Sequence, residues 1–214
     1  MRREKKTTEK REDKKRRAGL FKKKERGRPS DKKSIDRKNK DKKRPQICLS
    51  LSCNTIEQLK SEIEEYREYC QIVEWCVDKT DGSKDYTEEE FKAILRDIKK
   101  LCREKKLIVD YKGDEETGNL IQRWSMGIAD IIDVDADNTQ IREMIREARR
   151  KKTKILVSHH LFDRMPERDE ISTQFVKMER TGGDILKIAC FAEKESQSYE
   201  ILELSLIHIS EPTR

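Results

Sequence analysis

The sequence predicts an α/β protein in which short parallel β-strands alternate with α-helices. Six apolar runs rich in β-branched residues occur after Gln46, and stretches with helical periodicity separate them. Such alternation requires a parallel sheet with right-handed crossovers. Residues 50–55, which follow the first run, contain no glycine, whereas an open nucleotide-binding sheet places a glycine-rich phosphate loop there. The sequence therefore favours a barrel over an open doubly wound sheet.

The first two strand–helix units have the clearest patterns. We expect a strand at residues 47–51 and a helix at 55–70, where apolar residues recur on one face. The second strand is predicted at 72–77. Thr87 begins the next helix, because Glu90 three residues later completes a capping box. The buried stripe predicted for this helix consists of Phe91, Ile94, Leu95, Ile98 and Leu101.

The remaining elements continue the same alternation. The four further strands are predicted at 107–111, 128–134, 153–157 and 185–190. The helices among them are a short piece at 120–124, a helix at 138–150 and a helix at 167–180. Gly182 and Gly183 end the last of these as C-cap residues.

Charge divides the chain into regions. Residues 1–45 contain 23 Lys and Arg but 8 Asp and Glu, although the whole chain has a net charge of +7. Few apolar residues occur there, so we predict a disordered basic extension. Clustered Lys and Arg could contact nucleic acid or an anionic membrane surface. No aromatic residues are interleaved for base stacking and no groove-reading motif occurs, so nucleic acid is not the expected partner. Residues 46–203 are predicted to form the folded domain.

The cysteines indicate the compartment. The six cysteines include no Cys-x-x-Cys pair, and no apolar signal segment precedes them. They are typical of reduced thiols in a cytoplasmic protein. No apolar run approaches the ~20 residues that a membrane span needs, so no membrane association is predicted.

Polar residues stand where each predicted strand ends, which is where a (β/α) barrel carries its reactive groups. These residues are Ser50, Glu74 with Asp78, Lys112 with Glu116, Asp133 with Asp135, His160, and Lys187. Lys187 interrupts an apolar strand. If its side chain enters the barrel, burial should lower its pKa and give a neutral amine that attacks ketones. The alternative is a strand-end lysine that reaches water.

His159 and His160 leave two interpretations open. They could form a surface pair or half of a metal site, but no other Cys or His stands at a zinc-binding spacing, so no metal is predicted. His160 lies one strand before Lys187, and Glu116 could orient its imidazole. The joint placement favours a catalytic pair.

Four segments together resemble the type I 3-dehydroquinate dehydratase family. Residues 74–78 resemble its Glu-Trp-Arg-x-Asp signature, and residues 158–166 its Ser-x-His-Asp-Phe-x-x-Thr-Pro segment. Residues 183–189 are similar to its Gly-Ala-Asp-Ile-x-Lys-Ile-Ala strand, and the first strand resembles its Ile-x-Val-Ser-Leu. The matches follow the family's order, which implies a TIM-like (β/α)8 barrel, here reduced to about six units.

The resemblance implies a hydro-lyase of the shikimate pathway, which leads to chorismate and the aromatic amino acids. Lys187 would form an imine with 3-dehydroquinate, and His160 would act as general base and then acid in forming 3-dehydroshikimate. Glu116 would hold His160 in position. Glu74, Ser50 and Lys112 would bind the substrate. The chemistry needs no cofactor, and the resemblance allows a homodimer of the complete protein.

Several departures from the family occur, and three of them concern the predicted site. Cys76 and Lys112 replace arginines, and Leu161 replaces the aspartate after the histidine. A lysine keeps the charge at 112 but lacks the planar fork of arginine. These departures leave open a non-catalytic barrel relative with a decayed site. The basic segment leaves open a second alternative, a basic-tailed nucleic-acid-binding protein.

The end of the chain differs from the family pattern. The family continues with two further strands, whereas residues 204–214 resemble a translated sequencing adapter. We therefore expect an incomplete barrel over 46–203, and little or no activity of the 214-residue chain itself.

Overall fold

The computed structural model describes residues 46–210, with side chains described through Glu203. The six strands are β1 (Cys48–Leu51), β2 (Ile72–Cys76), β3 (Lys106–Asp110), β4 (Ile131–Asp135), β5 (Lys154–Leu161) and β6 (Ile185–Cys190). The six α-helices are α1 (Ile56–Tyr66), α2 (Glu88–Cys102), α3 (Glu115–Ser125), α4 (Ile141–Arg150), α5 (Arg168–Glu179) and α6 (Glu195–Ser210). The disorder predicted for residues 1–45 lies outside the described part of the chain.

All six strands belong to one parallel sheet in the order β1-β2-β3-β4-β5-β6. Each strand thus pairs with the next one along the chain, as in a barrel; a doubly wound sheet would reverse direction at a switch point. The predicted α/β class and the preference for a barrel are confirmed.

The sheet is curled into a half-barrel. β2 and β6 are four strands apart, which is ~19 Å across a flat sheet with ~4.8 Å between strands. Nevertheless Lys187 Nζ on β6 lies 3.0 Å from Glu74 Oε1 on β2, which two side chains from a flat sheet could not achieve. Curvature therefore brings the inward-facing residues of distant strands together.

The main core lies between the outer face of the sheet and the helices. Alternate strand residues such as Val73, Trp75 and Val109 are fully buried there against the apolar faces of the helices. Phe91 of α2 stacks on Trp75 with ring centroids 5.7 Å apart and lies 6.1 Å from the ring of Trp124 on α3. This aromatic cluster joins two helices to the sheet.

The helix ends follow the capping chemistry of the sequence. Thr87 and Glu90 form the predicted capping box at the start of α2. Thr55 caps α1 by accepting a hydrogen bond from the Gln58 backbone N–H. Along residues 46–210, no helix is sufficiently long and apolar to cross a lipid bilayer.

Two elements extend further than predicted. α3 begins at Glu115, five residues before the short helical piece predicted at 120–124, because Asp114 caps it by accepting from the Thr117 backbone N–H at 2.8 Å. β5 continues to Leu161, because its pairing with β6 runs as far as Leu161 and Cys190. Glu116 is consequently a helical residue, and His160 is a strand residue.

Candidate active site

The inward face of the half-barrel is layered. Four apolar residues, one from each of the strands β2 to β5, form a separate cluster that we call the apolar floor: Ile72, Ile108, Ile131 and Leu156. Two positions further along the strands, toward their carboxyl ends, the residues are polar: Glu74, Asp110, Asp133 and Ser158. Period-two alternation puts both layers on the same face. The site therefore rests on an apolar base at the end where barrels place their chemistry.

Lys187 points into this polar layer. Its Nζ donates hydrogen bonds to Glu74 Oε1 at 3.0 Å and to Asp133 Oδ2 at 3.3 Å. Burial by itself would lower the pKa of Lys187, but the carboxylates of Asp133 and Glu74 outweigh burial and raise the pKa above its usual value. The expected lowering was therefore wrong in direction, because the charges that decide it come from other strands.

Lys112 makes a second set of contacts in the same layer. Its Nζ donates to Asp133 Oδ1 at 2.8 Å and to Ser158 Oγ at 2.6 Å. It also lies 3.3 Å from Asp110 Oδ1. Burial opposes the charge of Lys112, but Asp133 and Asp110 raise its pKa overall. Asp133, whose side chain is fully buried, thus connects both lysines.

His160 lies beyond Ser158 on β5 without a hydrogen-bonding partner. Both ring nitrogens are buried and accept or donate no hydrogen bond within the described residues. Its ring packs on Phe162 with centroids 5.1 Å apart. Burial first, then the positive charges of Lys112 and Lys187, lower the pKa of His160. A neutral imidazole therefore faces the lysines at neutral pH.

Ser50 and Cys76 occupy the β1 side of the site. Ser50 pairs with Glu74 across the first two strands, and its Oγ lies 3.4 Å from Cys76 Sγ. Burial raises the pKa of the Cys76 thiol above its ordinary value, so the residue is uncharged at neutral pH. An arginine at position 76 would put a cation where this neutral thiol stands.

Glu116 is the predicted site residue that the structure does not bring to the others. It lies exposed in the first turn of α3, and no hydrogen bond joins it to His160 within residues 46–203. The reason is the cap at Asp114, which starts the helix before Glu116 and turns that side chain toward solvent. The carboxylates that act on His160 are those of Asp133 and Asp135.

Three residues of the polar layer were not predicted as site residues: Asp110, Asp133 and Ser158. Asp110 had a detectable signal, since it interrupts the apolar run of β3 in the same way that Lys187 interrupts β6. Asp133 was noted at a strand end without a role. Ser158 gave no signal from its own residue type, because serine is common next to turns.

Three carboxylates of the site could hold a cation. Oxygen atoms of Glu74, Asp110 and Asp133 lie within 4.8 Å of one another. Lys187 and Lys112 already contact these groups with Nζ distances between 2.8 and 3.3 Å. The ammonium groups of the chain's own lysines thus already contact the carboxylates at the place where a metal ion would sit.

Fold and site together define a (β/α)-barrel enzyme with a lysine inside its polar layer. Residues 47–212 match the family described as Type I 3-dehydroquinase. The chain belongs to the type I 3-dehydroquinate dehydratase family.

Named relatives agree with this assignment. The 3-dehydroquinate dehydratase of Listeria monocytogenes serotype 4b (strain F2365) is 28% identical over 173 residues, which is 74% of this chain and 68% of that protein. The enzyme of the same name from Clostridioides difficile (strain 630) is 26% identical over 174 residues, or 75% of this chain and 68% of that protein.

Solved structures show the same fold. A type I 3-dehydroquinate dehydratase from Clostridium difficile, with covalently modified comenic acid, aligns with a TM-score of 0.70 at 22% identity, covering 78% of this chain and 71% of that chain. The 3-dehydroquinate dehydratase from Geobacillus kaustophilus HTA426 aligns with a TM-score of 0.70 at 21% identity, covering 79% and 70%. The predicted barrel architecture and family are thus confirmed.

Proposed function

We propose that this chain carries the site of a 3-dehydroquinate dehydratase that works through an imine on Lys187, with little turnover expected of the 214-residue chain itself. The observation that carries the proposal is the placement of Lys187 Nζ between Glu74 and Asp133, inside the barrel of a family member. Relatives bearing the name of this activity support the substrate.

The chemistry begins with proton loss from Lys187. The neutral amine attacks the ketone carbon, water leaves, and a protonated imine remains. The imine withdraws electrons from the adjacent carbon and acidifies its C–H bond. The pKa of His160 is lowered by burial and by both lysines. As a neutral base, His160 takes this proton and then returns a proton to the departing hydroxyl. Hydrolysis of the imine then releases the product and the free amine.

The remaining site residues bind the substrate in this proposal. Glu74 would accept hydrogen bonds from substrate hydroxyls, and Ser50 would lie near the imine end of the pocket. Lys112 would supply a positive charge, without the bidentate geometry of an arginine. Glu116, exposed in the first turn of α3, would orient His160 only after a movement of that turn toward β5.

Covalent capture tests the proposal independently of turnover. Incubation of the 214-residue chain with 3-dehydroquinate and borohydride should reduce the imine and add the substrate skeleton to Lys187, located by peptide mass spectrometry. Lys187→Ala should abolish the adduct. Lys106→Ala removes an exposed lysine at the amino end of β3, away from the carboxyl ends that carry the site. This variant should retain the adduct. An adduct that persists in Lys187→Ala, or its absence from the unmodified chain, would disprove the proposal.

Location and assembly are separate proposals. The six cysteines are all unpaired, which supports a reducing compartment such as the cytoplasm. A homodimer remains a prediction from the family resemblance.

A further inference from the structure

Asp110 is a buried carboxyl group that the proposed chemistry leaves unused. The residue is 5% exposed, and its Oδ1 accepts no hydrogen bond. The nearest cation, Lys112 Nζ, lies 3.3 Å from this oxygen without hydrogen-bonding geometry. An ionised carboxylate with an unbonded buried oxygen costs more free energy than a protonated carboxyl group in the same place.

The charges of the site give a second reason. Charged or titratable groups face Asp110 from several elements: Glu74, Cys76 and Lys79 from β2 and the turn after it, Lys112 from the end of β3, Asp133 from β4, and Lys187 from β6. In the polar layer itself, three carboxyl groups surround two ammonium groups. If Asp110 is neutral, Glu74 and Asp133 balance Lys112 and Lys187. If it is ionised, the layer carries one uncompensated negative charge.

Proximity supplies the third reason. One carboxyl oxygen each of Asp110, Glu74 and Asp133 lies within 4.8 Å of the others, and carboxylates this close oppose one another's ionisation. Asp110 is the member with an oxygen that accepts no hydrogen bond, so a proton bound in this cluster belongs on it. Burial, followed by the charge of Asp133, raises the pKa of Asp110 to about 7.

We propose that Asp110 is a positioning residue that holds a proton in the resting site and, through its ionisation, adjusts the small fraction of Lys187 that is present as neutral amine. With Asp110 neutral, two carboxylates stabilise the ammonium of Lys187. When Asp110 ionises, a third negative charge favours the ammonium further, and the nucleophilic amine becomes rarer. Its meaning for catalysis rests on the proposed role of Lys187.

Competitive labelling with trace acetic anhydride measures the neutral amine directly. Lys187 is 30% exposed at its side chain and accessible to the reagent, and exposed Lys154 serves as reference in the same molecule. In the unmodified chain, the Lys187-to-Lys154 labelling ratio should fall severalfold between pH 6 and pH 8.5. In Asp110→Asn the ratio should stay flat, because no third charge appears. A flat ratio in the unmodified chain would overturn the proposal.

A second measurement follows the carboxyl groups themselves. Carboxyl-labelled [13C]aspartate NMR on the unmodified chain should show one aspartate that titrates between pH 6 and pH 8, and Asp110→Asn should lose that titration. The absence of any such titration would also refute the proposal. Neither experiment contains 3-dehydroquinate, so a failure of the dehydratase assignment and a failure of this inference are distinguishable.

Discussion

His160 is held by packing and electrostatics instead of by hydrogen bonds. Its unbonded ring nitrogens and its contact with Phe162 fix a neutral ring beside two lysines. Burial and these lysines lower its pKa, and Asp133 and Asp135 act in the opposite direction. The residue thus titrates according to nearby charges, which can be altered one at a time.

Replacement of a neighbouring carboxylate should move this titration. Asp135→Asn removes a negative charge that favours the imidazolium, so the pKa of His160 should fall further. Glu116→Gln should leave it unchanged, because Glu116 is exposed and makes no bond to His160. NMR titration of the His160 ring protons, assigned with His160→Gln, measures both. A larger shift in Glu116→Gln would restore Glu116 as the residue that orients His160.

Sequence reasoning found most of the site but misjudged its electrostatics. Lys187, Glu74, Ser50, Lys112 and His160 were predicted from strand ends and motifs, and the structure brings them to one face. The direction of the Lys187 pKa was wrong, because Asp133 and Glu74 are 54 and 113 residues distant in sequence. Local patterns carry no information on such contacts.

The start of β6 depends on a close approach to β5. A Cβ atom added at Gly183 would lie 2.4 Å from Val157 Cγ2, and Val157 is fully buried. The neighbouring Asp184 exchanges backbone and side-chain hydrogen bonds with Ile155, each 2.9 Å long. Together these contacts fix the register that pairs Ser158 with Lys187.

A double-mutant cycle tests this packing. Gly183→Ala should destabilise the fold by about 1–3 kcal/mol through overpacking. Val157→Ala should remove the clash, so the double mutant should lose less unfolding free energy than the sum of the two single-mutant losses. Urea unfolding provides the free energies. Gly82→Ala is the matched control, because Gly82 has a φ of 73° and no atom within 4 Å of an added Cβ. Its loss should be additive with Val157→Ala. Additivity for the Gly183 pair would contradict the packing argument.

The bounds of elements with regular apolar patterns were predicted better than those of elements whose first turn is polar. The bounds predicted for β6 agree with the structure, and the capping box of α2 is present. The first turn of α3 contains Glu115, Glu116 and Gly118, which give no apolar periodicity. The cap at Asp114 determines where α3 begins. The sequence prediction did not include this cap, and it therefore treated Glu116 as a strand-end residue.

At the scale of the whole molecule, residues 46–210 contain their own sheet, helices and core. The chain's excess positive charge lies in residues 1–45, which contribute few apolar residues. From this composition we predict that the segment does not add to the stability of the core.

Deletion of residues 1–45 should therefore change the Tm by less than about 2 °C, measured by circular dichroism. Deletion through Leu51 provides the contrast, because it removes β1 and the buried Leu51 side chain, and the Tm should fall substantially. If the shorter deletion lowered the Tm as much as the longer one, residues 1–45 would be part of the fold.

The aromatic cluster around Phe91 contains both tryptophans of the chain, so tryptophan fluorescence reports on this cluster. The chain contains two tryptophans, and both rings lie within 6.1 Å of the Phe91 ring between the sheet and its helices. Tryptophan fluorescence, excited at wavelengths that tyrosine does not absorb, therefore originates entirely from this one junction, in which Trp75 directly follows Glu74 of the polar layer. A ligand in the polar layer would lie beside the residue that precedes Trp75 in β2. A change in tryptophan emission would therefore report ligand binding without an attached dye.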